Sequence, residues 1–338
     1  MKHPFYTAGA VFFASTFAAI AQDAEGPFTY EFSIEVQSDF NFDSDDPDAE
    51  INDTFLTIEG ALGYAFNNGG SVNTSLVFEP LADPTGDRFL DLGDHGLYVE
   101  ELFYAQDIGL GGVELVLGKF NPVFGIAWDA APGIYGVDFA EDYEITEKLG
   151  AGVNFPVGES ISVQLAAFTA DRTILSDSLG ESRGQLSLGD GGVSNTSGPE
   201  SFTASLTGEA GDLSVTTSFQ YQAKGSTDTH DQIGVALGAT QAINDIELLG
   251  ELVYFSDFDG TANEAYYLTV GASVPIGPVS VSAVYSMRDV ETMPTDNLFT
   301  VSGEIELIDG FTASLGYRFG DEGGVDTQTV GLLLAYGF

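Results

Sequence analysis

The sequence contains no cysteine, which excludes disulfide bonds, a thiol nucleophile and lipid attachment to a cysteine after an export signal. Basic residues are also scarce: nine Lys and Arg stand against 52 Asp and Glu, which gives a net charge of -43. Nucleic-acid binding needs positive charge to neutralise phosphates, so that class of function is excluded. No stretch approaches the ~20 consecutive apolar residues that a membrane-spanning helix needs.

The N-terminus has the features of an export signal. A short basic start, Met1-Lys2-His3, precedes an apolar run over residues 8–20, and Ala19-Ile20-Ala21 supplies a small-x-small cleavage site. The sequence therefore predicts a signal peptide over residues 1–21 and a mature chain that begins at Gln22. Loss of Lys2 takes the net charge from -43 to about -44.

The rest of the composition indicates a folded chain of strands and turns. Aromatic residues make up 12% and hydrophobic residues 43%, which is too much for an acidic disordered chain. The chain also has 42 Gly and 12 Pro, and these residues favour many short strands and turns over helices.

Apolar and polar residues alternate along many segments. The pattern is clear over residues 30–37, 213–222 and 311–319, where every second residue is apolar. Successive side chains of a strand point to opposite faces, so each segment has one apolar and one polar face. A soluble β-sandwich would show the same alternation, and other features must distinguish the two.

Strand number and length favour a membrane barrel. About sixteen segments have a length of roughly 9–12 residues, with which a tilted strand crosses a bilayer. They lie near residues 29–38, 54–66, 71–79, 96–106, 112–119, 147–155, 160–170, 201–209, 212–223, 230–241, 245–256, 264–274, 278–288, 297–306, 310–320 and 327–338.

The connections alternate between short and long, which a sandwich has no reason to do. The short ones cover residues 67–70, 108–111, 156–159, 210–211, 242–244, 275–277 and 307–309. The long ones cover residues 39–53, 80–95, 120–146, 171–200, 224–229, 257–263, 289–296 and 321–326. Outer-membrane barrels combine short periplasmic turns with long extracellular loops. The prediction is one all-β domain over residues 22–338, a closed antiparallel transmembrane β-barrel wide enough to hold an aqueous channel.

The C-terminus carries a resemblance to a known class. The last strand places Val330, Leu332, Leu334, Tyr336 and Phe338 on one face and ends on the aromatic residue. This ending resembles the C-terminal signature of Gram-negative outer-membrane barrels and implies location in that membrane. We expect aromatic girdles at both membrane interfaces. Their members at other strand ends are Tyr64, Phe66, Phe155, Phe219 and Tyr221.

The connection over residues 120–146 differs from the others because it is rich in aromatic residues and holds the only Trp. A loop that folds inward against the barrel wall would bury aromatics and present carboxylates. In this position, between the fifth and sixth strands, the chain resembles general porins, whose acidic constriction loop lies there. The resemblance implies a pore constriction formed by Asp129, Asp138, Glu141, Asp142 and Glu144. The run Gly118–Gly125 also resembles strand-loop junctions of substrate-selective porins.

In the period-two alternation, four of the eight basic residues of the mature chain fall on the polar, lumen-facing side of their strands. Each of the four also lies near the extracellular end of its strand. They are Arg172, Lys224, Arg288 and Arg318. Placed opposite the loop acids, such a basic wall would set a transverse electric field that discriminates solutes by charge and size. The alternatives are salt bridges at the rim and contacts to lipopolysaccharide phosphates.

Other chemistry has little support in the sequence. The acidic segment over residues 39–53 lacks the Gly of an EF-hand loop, so a solvated loop is favoured over a divalent-cation site, and we expect no cofactor. His95 and His230 have no Ser placed to form a hydrolytic triad, which argues against an enzyme.

We therefore expect a pore for passive diffusion of small hydrophilic solutes, with a preference for cations. A channel selective for a sugar, a phosphate or a chelate and a plugged structural or adhesive barrel are the alternatives. The porin resemblance also implies a homotrimer.

Overall fold

The computed structural model describes residues 26–338, so the predicted signal peptide over residues 1–21 lies outside the described residues. Within residues 26–338 the chain forms eighteen strands, and no helix there is long and apolar enough to cross a membrane. The strands are β1 (Phe28–Ser44), β2 (Asn52–Ala65), β3 (Gly70–Pro80), β4 (Arg88–Phe89), β5 (His95–Asp107), β6 (Glu114–Phe120), β7 (Lys148–Pro156), β8 (Ile161–Ala170), β9 (Leu179–Gly180), β10 (Ser201–Ala210), β11 (Leu213–Gln222), β12 (Gln232–Ile243), β13 (Ile246–Ser256), β14 (Ala265–Ile276), β15 (Val279–Val290), β16 (Asp296–Ile308), β17 (Phe311–Glu322) and β18 (Val325–Gly337). One α-helical turn, α1 (Ala127–Ala130), and short 3-10 turns at Pro47–Ala49, Leu92–Asp94, Glu141–Tyr143, Ile174–Ser176, Leu188–Asp190 and Phe258–Gly260 complete the structure.

Sixteen of the strands form a closed antiparallel barrel, which confirms the predicted fold. When the two-residue strands β4 and β9 are left aside, each strand pairs antiparallel with the strand before it and the strand after it in the chain, so that β3 pairs with β5 and β8 with β10. β1 pairs with β2 on one side and with β18 on the other, where Ile34 lies opposite Tyr336. This last pairing closes the sheet and leaves no free edge between the first and last strands.

The connections follow the predicted alternation except at the last one, and several differ in length from the prediction. β1 continues to Ser44, so the first long connection covers only residues 45–51. The last one, predicted over residues 321–326, shrinks to Gly323 and Gly324, whose φ angles of 63° and 80° suit a tight two-residue hairpin turn. We refer to the end of the barrel with the short turns as the turn end and to the opposite end as the loop end.

The two faces of the wall differ as the alternation predicts. On β13, Glu251 points into the lumen and is 2% exposed, whereas the adjacent Leu252 points outward and is 58% exposed. The outer face therefore carries a band of exposed apolar side chains around the barrel. It includes Leu117, Leu165, Leu206, Leu237, Leu252, Leu315 and Leu332.

Aromatic rings gather at both ends of the outer face. At the turn end Phe338 lies 5.6 Å from the ring of Phe32, and its backbone exchanges two hydrogen bonds with that residue. The last chain residue therefore completes the β1–β18 pairing at the turn end, as expected. At the loop end Phe202 stacks on Tyr221 with ring centroids 5.5 Å apart. These positions match the two girdles predicted from the sequence.

The two short strands cover edges that the barrel strands leave open near the loop end. Beyond Phe120 the chain turns into the lumen, so β6 does not pair with the loop-end part of β5. β9 pairs with that part of β5 instead, with Leu179 opposite Leu97. In the same way β4 pairs with β2, with Arg88 opposite Asp53. Both strands satisfy backbone groups that would otherwise be unpaired at an exposed edge.

The outward apolar band predicts a depth-dependent cost for a positive charge. Leu252→Arg places the charge near the middle of β13 and should cost about 2–4 kcal/mol of unfolding free energy, whereas Ile276→Arg at the turn end should cost about 0–1 kcal/mol. Urea unfolding of the protein in lipid vesicles measures both values. Equal costs at the two positions would contradict a lipid-facing band centred on Leu252.

Candidate pore constriction

The connection between the fifth and sixth barrel strands, β6 and β7, folds into the barrel. We call it the lumen loop (residues 121–147). At its base the Glu147 amide donates to Oδ1 of Asn121 at 2.8 Å, which ties its two ends together. Asn121 in turn donates its amide to Glu101 at 3.1 Å and its side-chain Nδ2 to Glu100 at 2.9 Å. Both acceptors are on β5, so the base of the loop is held on the wall that it has just left.

An ion cluster closes the wall beside this base. Lys119 is 1% exposed and lies 2.7 Å from Glu147 and 3.2 Å from Asp171. Arg183, from the connection after β8, lies 2.5 Å from the same Glu147 and places its guanidinium 3.8 Å from the centre of the Tyr98 ring. Two cations on one carboxylate thus hold together β6, the lumen loop and the connection that carries β9.

Glu251 anchors the far part of the loop on the opposite wall. Its carboxylate accepts hydrogen bonds from the amides of Ile126 at 2.5 Å and Ala127 at 3.1 Å. It also accepts one from the Tyr143 hydroxyl at 2.6 Å. The first two donors start the helical turn α1, where backbone amides have no intrahelical partner and favour a negative charge. One buried carboxylate therefore holds the outgoing and the returning halves of the loop.

Aromatic packing fills the space between the loop and the wall. The Phe124 ring lies 5.6 Å from Phe255, and the Tyr143 ring lies 5.0 Å from Tyr267 in an edge-to-face arrangement. Phe124 and Phe255 are almost completely buried, although both are inside a wide barrel. The aromatic residues predicted to face the wall do so, and they give the loop a dry underside.

The tip of the loop reaches as far as β1. Tyr135 donates its hydroxyl to Asp39 at 2.5 Å, and the Ile134 amide donates to Ser302 Oγ at 3.2 Å. Gly133 has a φ of 89°, and a Cβ there would lie 2.7 Å from Ser302 Oγ and 2.8 Å from Ser282 Oγ. Only a glycine allows this approach. The loop thus follows the inner wall from β12 round to β1.

The predicted constriction acids fall into two groups. Asp138 lies 2.7 Å from Arg318, and Asp142 lies 2.7 Å from Arg288 and accepts from the Tyr267 hydroxyl at 3.2 Å. These two acids are bound to the wall behind the loop.

The other three predicted acids form no ion pair within the described residues. Glu141 is exposed, and Asp129 and Glu144 are half-buried. They are the acids that the loop presents to the lumen.

The predicted basic residues do not form a wall across an opening from the loop acids. Arg288 and Arg318 contact Asp142 and Asp138 directly, so they lie on the same side as the loop. Arg172 donates to the carbonyl of Thr196 at 2.7 Å, and Lys224 donates to the carbonyl of Thr229 at 3.3 Å. The structure therefore brings two of the four to the loop and places the other two in loop-end connections.

The wall that faces the loop is acidic, which the sequence analysis missed. Inward positions of β1, β2, β3 and β5 carry a group of carboxylates, the acidic wall: Glu35, Glu59, Glu79, Glu100 and Glu101. Glu79 acts electrostatically on Glu141, and Glu100 and Glu101 act on Glu144, so wall and loop are close enough to interact. For Glu35, Glu59 and Glu79 the signal was present as strand parity. A register shift in the β3–β5 pairing at Glu100 brings the adjacent Glu100 and Glu101 to the same face, which parity does not predict.

This crowding changes the ionisation of the loop acids. Although the Glu141 side chain is exposed to the lumen, the protein around it limits its hydration, and this effect, followed by the charges of Asp138, Glu79 and Asp142, raises the pKa of Glu141 to about 7. Restricted access to water, followed by the charge of Glu100, raises the pKa of Glu144 to about 8. Burial raises the pKa of Asp129 to about 7.

The pKa of Asp138 shows the opposing influence of a cation. Burial raises it to about 6, and the Arg318 guanidinium acts in the opposite direction. Loop charge therefore varies with pH near neutrality.

The minor candidates from the sequence have structural partners. Of the acidic segment over residues 39–53, Asp53 pairs with Arg88 at 2.6 Å. His95 is buried, with Nδ1 2.8 Å from Asp94 and Nε2 3.0 Å from the carbonyl of Leu56. His230 Nδ1 lies 2.8 Å from the Thr229 hydroxyl. Within residues 26–338, no group of three or more His, Cys, Asp or Glu side chains is arranged to hold a metal ion.

The Glu251 anchor predicts the behaviour of the loop when it is weakened. Glu251→Gln keeps the size of the side chain but removes its charge, and each lost charge-assisted hydrogen bond contributes about 1.5–3 kcal/mol. Hydrogen exchange at the Ile126 and Ala127 amides should then be at least roughly tenfold faster. Glu247→Gln, on the same strand, is the matched control, because within the described residues Glu247 forms no hydrogen bond or ion pair with the loop. Unchanged exchange in Glu251→Gln would mean that aromatic packing alone holds the loop.

Comparison with known proteins identifies the architecture. No protein-family model and no curated protein matches the sequence. Among solved structures, the outer membrane channel DcaP of Acinetobacter baumannii is similar with a TM-score of 0.68 and 11% identity, over 92% of this chain and 97% of that chain. OmpF of Salmonella typhi, in a complex with daunomycin, gives a TM-score of 0.64 at 10% identity, over 92% and 97%. The anion-selective porin from Comamonas acidovorans gives a TM-score of 0.60 at 12% identity, over 92% and 99%. The chain thus has the fold of sixteen-stranded outer-membrane porins.

Proposed function

We propose that the chain is an outer-membrane porin of a Gram-negative bacterium, a channel without enzymatic activity through which small hydrophilic solutes diffuse passively, with a preference for cations. The observation that carries this proposal is the presence of carboxylates on both sides of the lumen. Glu141 and Glu144 lie on the loop, and Glu79 and Glu100 lie on the acidic wall. The porin fold supports the channel, and this charge arrangement supports its selectivity.

The preference for cations follows from electrostatics. Near a low-dielectric wall, charges a few ångströms apart interact by several kcal/mol at an effective dielectric constant of ~20. Among the cations that could offset the acids, Arg288 and Arg318 are already bound to Asp142 and Asp138. An anion would therefore meet repulsion from both sides, and a cation would meet attraction.

The environment of the barrel is part of the same proposal. The apolar outer band and the two aromatic girdles suit insertion in a bilayer. We further propose, from the resemblance to porins, that the chain assembles as a homotrimer and contacts lipopolysaccharide at the loop end. The export signal over residues 1–21 would direct the chain out of the cytoplasm.

Selectivity should depend on the acids that face the lumen rather than on acids in general. Glu141→Gln combined with Glu144→Gln should lower the cation-to-anion permeability ratio by at least about threefold, because both charges act where water is restricted. Reversal potentials in a salt gradient across a planar bilayer measure this ratio. The matched control is Asp45→Asn with Asp48→Asn, which removes two exposed charges from the first loop-end connection.

The same recordings distinguish the alternatives. A saturable current would favour a substrate-selective channel, and absence of current would favour a plugged barrel. Anion selectivity of the unmodified protein would contradict the proposed role of the acids. Raising the salt from about 0.1 M to about 1 M should weaken the preference, because the screening length falls from ~10 Å to ~3 Å.

The pKa values of the loop acids predict a pH dependence near neutrality. Glu141, with a pKa of about 7, and Glu144, with a pKa of about 8, lose their negative charge as the pH falls through these values. Cation preference should therefore increase between about pH 6 and pH 9, well above the ordinary range of carboxyl groups. The double Gln variant should show a smaller change, because of the three acids that face the lumen only Asp129, with a pKa of about 7, still titrates in this range. A preference that stays constant down to about pH 5 would show that both acids remain ionised.

A further inference from the structure

A group of polar side chains on β1 and β2 faces the lumen on the turn-end side of the lumen loop. Glu31, Ser33 and Glu35 occupy successive inward positions of β1, and Glu59 on β2 lies directly opposite Ser33. We call these four residues the Ser33 site. The loop tip contacts β1 at Asp39, which is nearer the loop end. The Ser33 site therefore lies beyond the loop, and its three carboxylates are half-buried on the wall of the passage.

The hydroxyl at the centre of this site is buried without a partner. Ser33 is only 8% exposed, and its Oγ forms no hydrogen bond within the described residues. One carboxylate oxygen of Glu31, the next inward residue of β1, is also buried and has no hydrogen-bond partner there. Buried polar groups of native proteins are normally paired, so these two oxygens mark a place for a hydrogen-bond donor that the protein does not supply.

The strand register brings the three carboxylates to this hydroxyl. Directly opposite residues such as Ser33 and Glu59 have Cβ atoms ~4.5–5.5 Å apart, and diagonal neighbours lie ~7–8 Å apart. Glu59 is the diagonal neighbour of both Glu31 and Glu35, because these residues lie opposite Ala61 and Thr57. Glu59 also interacts electrostatically with Glu35. A glutamate side chain is long enough to cover half of a diagonal, so all three carboxylates reach the space in front of Ser33.

No basic residue of the protein serves as the missing donor. Within residues 26–338 all Lys and Arg side chains belong to connections or to the loop-end halves of strands: Arg88, Lys119, Lys148, Arg172, Arg183, Lys224, Arg288 and Arg318. A carboxylate only accepts hydrogen bonds, so an occupant of the site needs to donate them, and a positive charge makes such bonds stronger. The described carboxylates are not grouped as metal ligands, which favours a cation with several separated donors.

The spacing of the carboxylates suits two positive charges on one molecule. One position lies between Glu31 and Glu59, and the other lies between Glu59 and Glu35. These positions are two residues apart along β1, which corresponds to ~6.7 Å at a rise of ~3.3–3.4 Å per residue. A chain of four or five methylene groups separates two amines by a similar distance.

We propose that the Ser33 site binds linear diamines and polyamines, molecules in which protonated amines are separated by a few methylene groups. One ammonium group would lie between Glu31 and Glu59 and the next between Glu59 and Glu35. Ser33 Oγ would accept a hydrogen bond from one of them. The proposal rests on the proposed channel function, because the solute reaches the site through the lumen. It names a class of cation that the pore retains during passage.

Current block by three cations tests the proposal. 1,4-Diaminobutane carries two separated ammonium groups, butylamine carries one, and Mg²⁺ carries the charge of the diamine at a single point. At about pH 7 both amines are protonated. Diaminobutane should reduce the single-channel current in a saturable manner, at concentrations roughly tenfold lower than either butylamine or Mg²⁺.

Variants locate the effect in the Ser33 site. Glu59→Gln should raise the half-blocking concentration of diaminobutane by roughly tenfold, because Glu59 contacts both ammonium positions. Ser33→Ala should raise it by roughly threefold without a change of charge, and loss of an unpaired hydroxyl should leave folding intact. Each value is measured relative to the open-channel current of the same variant. Glu247→Gln is the matched control, because Glu247 has inward parity near the turn end of β13, away from β1 and β2.

The possible outcomes separate this proposal from the channel itself. Equal block by Mg²⁺ and diaminobutane, or an equal effect of Glu59→Gln and Glu247→Gln, would mean that charge alone acts and would overturn the site while the channel function stands. Unchanged block in Ser33→Ala would overturn it as well. Absence of any open-channel current would contradict the channel function instead. Calorimetric titration of diaminobutane into the detergent-solubilised protein then still measures the site, and absence of saturable heat would overturn it.

Discussion

Closure of the backbone hydrogen-bond network between β1 and β18 is the constraint on which the rest of the structure depends. In a bilayer every backbone amide and carbonyl needs a partner within the protein, so a sheet with free edges is excluded. The chain meets this requirement even where it leaves the wall. When residues after Phe120 turn inward, β9 replaces β6 beside β5, and Lys119 with Arg183 holds the adjoining segments through Glu147. An inward loop is thus compatible with a closed wall only because other segments cover the gap.

The scarcity of basic residues connects this architecture to the electrostatics of the lumen. Of the eight basic residues in the described chain, five form salt bridges with Asp or Glu: Arg88, Lys119, Arg183, Arg288 and Arg318. Each of the five joins a loop segment to a strand or to another loop segment. Cations are therefore used where the chain departs from regular pairing, and the loop acids that face the passage have no ion-pair partner within the described residues. The same pairs that hold the lumen loop in place remove from the passage the positive charges that would admit anions.

Strand positions were predictable from the sequence because alternation has a period of two, and a shift of one residue would turn the apolar face into the lumen. The position of the lumen loop was also predictable, since its aromatic residues need a surface to pack on. Which partner each charged residue finds was not predictable. Arg288 and Arg318 have the expected parity, but whether they face the loop acids across water or contact them depends on the path of the loop. Glu251 illustrates the same limit: its inward parity is visible in the sequence, whereas its three donors come from residues more than a hundred positions away.

The path of the loop also explains why the two sides of the lumen differ in chemistry. Where the tip of the loop lies on β15 to β17, the inward positions that it covers are the small residues Ser282, Ser302 and Gly316, because a larger side chain would occupy the space of the loop. A Cβ at Gly316, for example, would lie 3.2 Å from both Tyr135 and Ser302. Where no loop covers the wall, the inward positions are free to carry long charged side chains, and the acidic wall lies there. The path of the loop thus determines which inward positions of the wall stay small and which can carry charge.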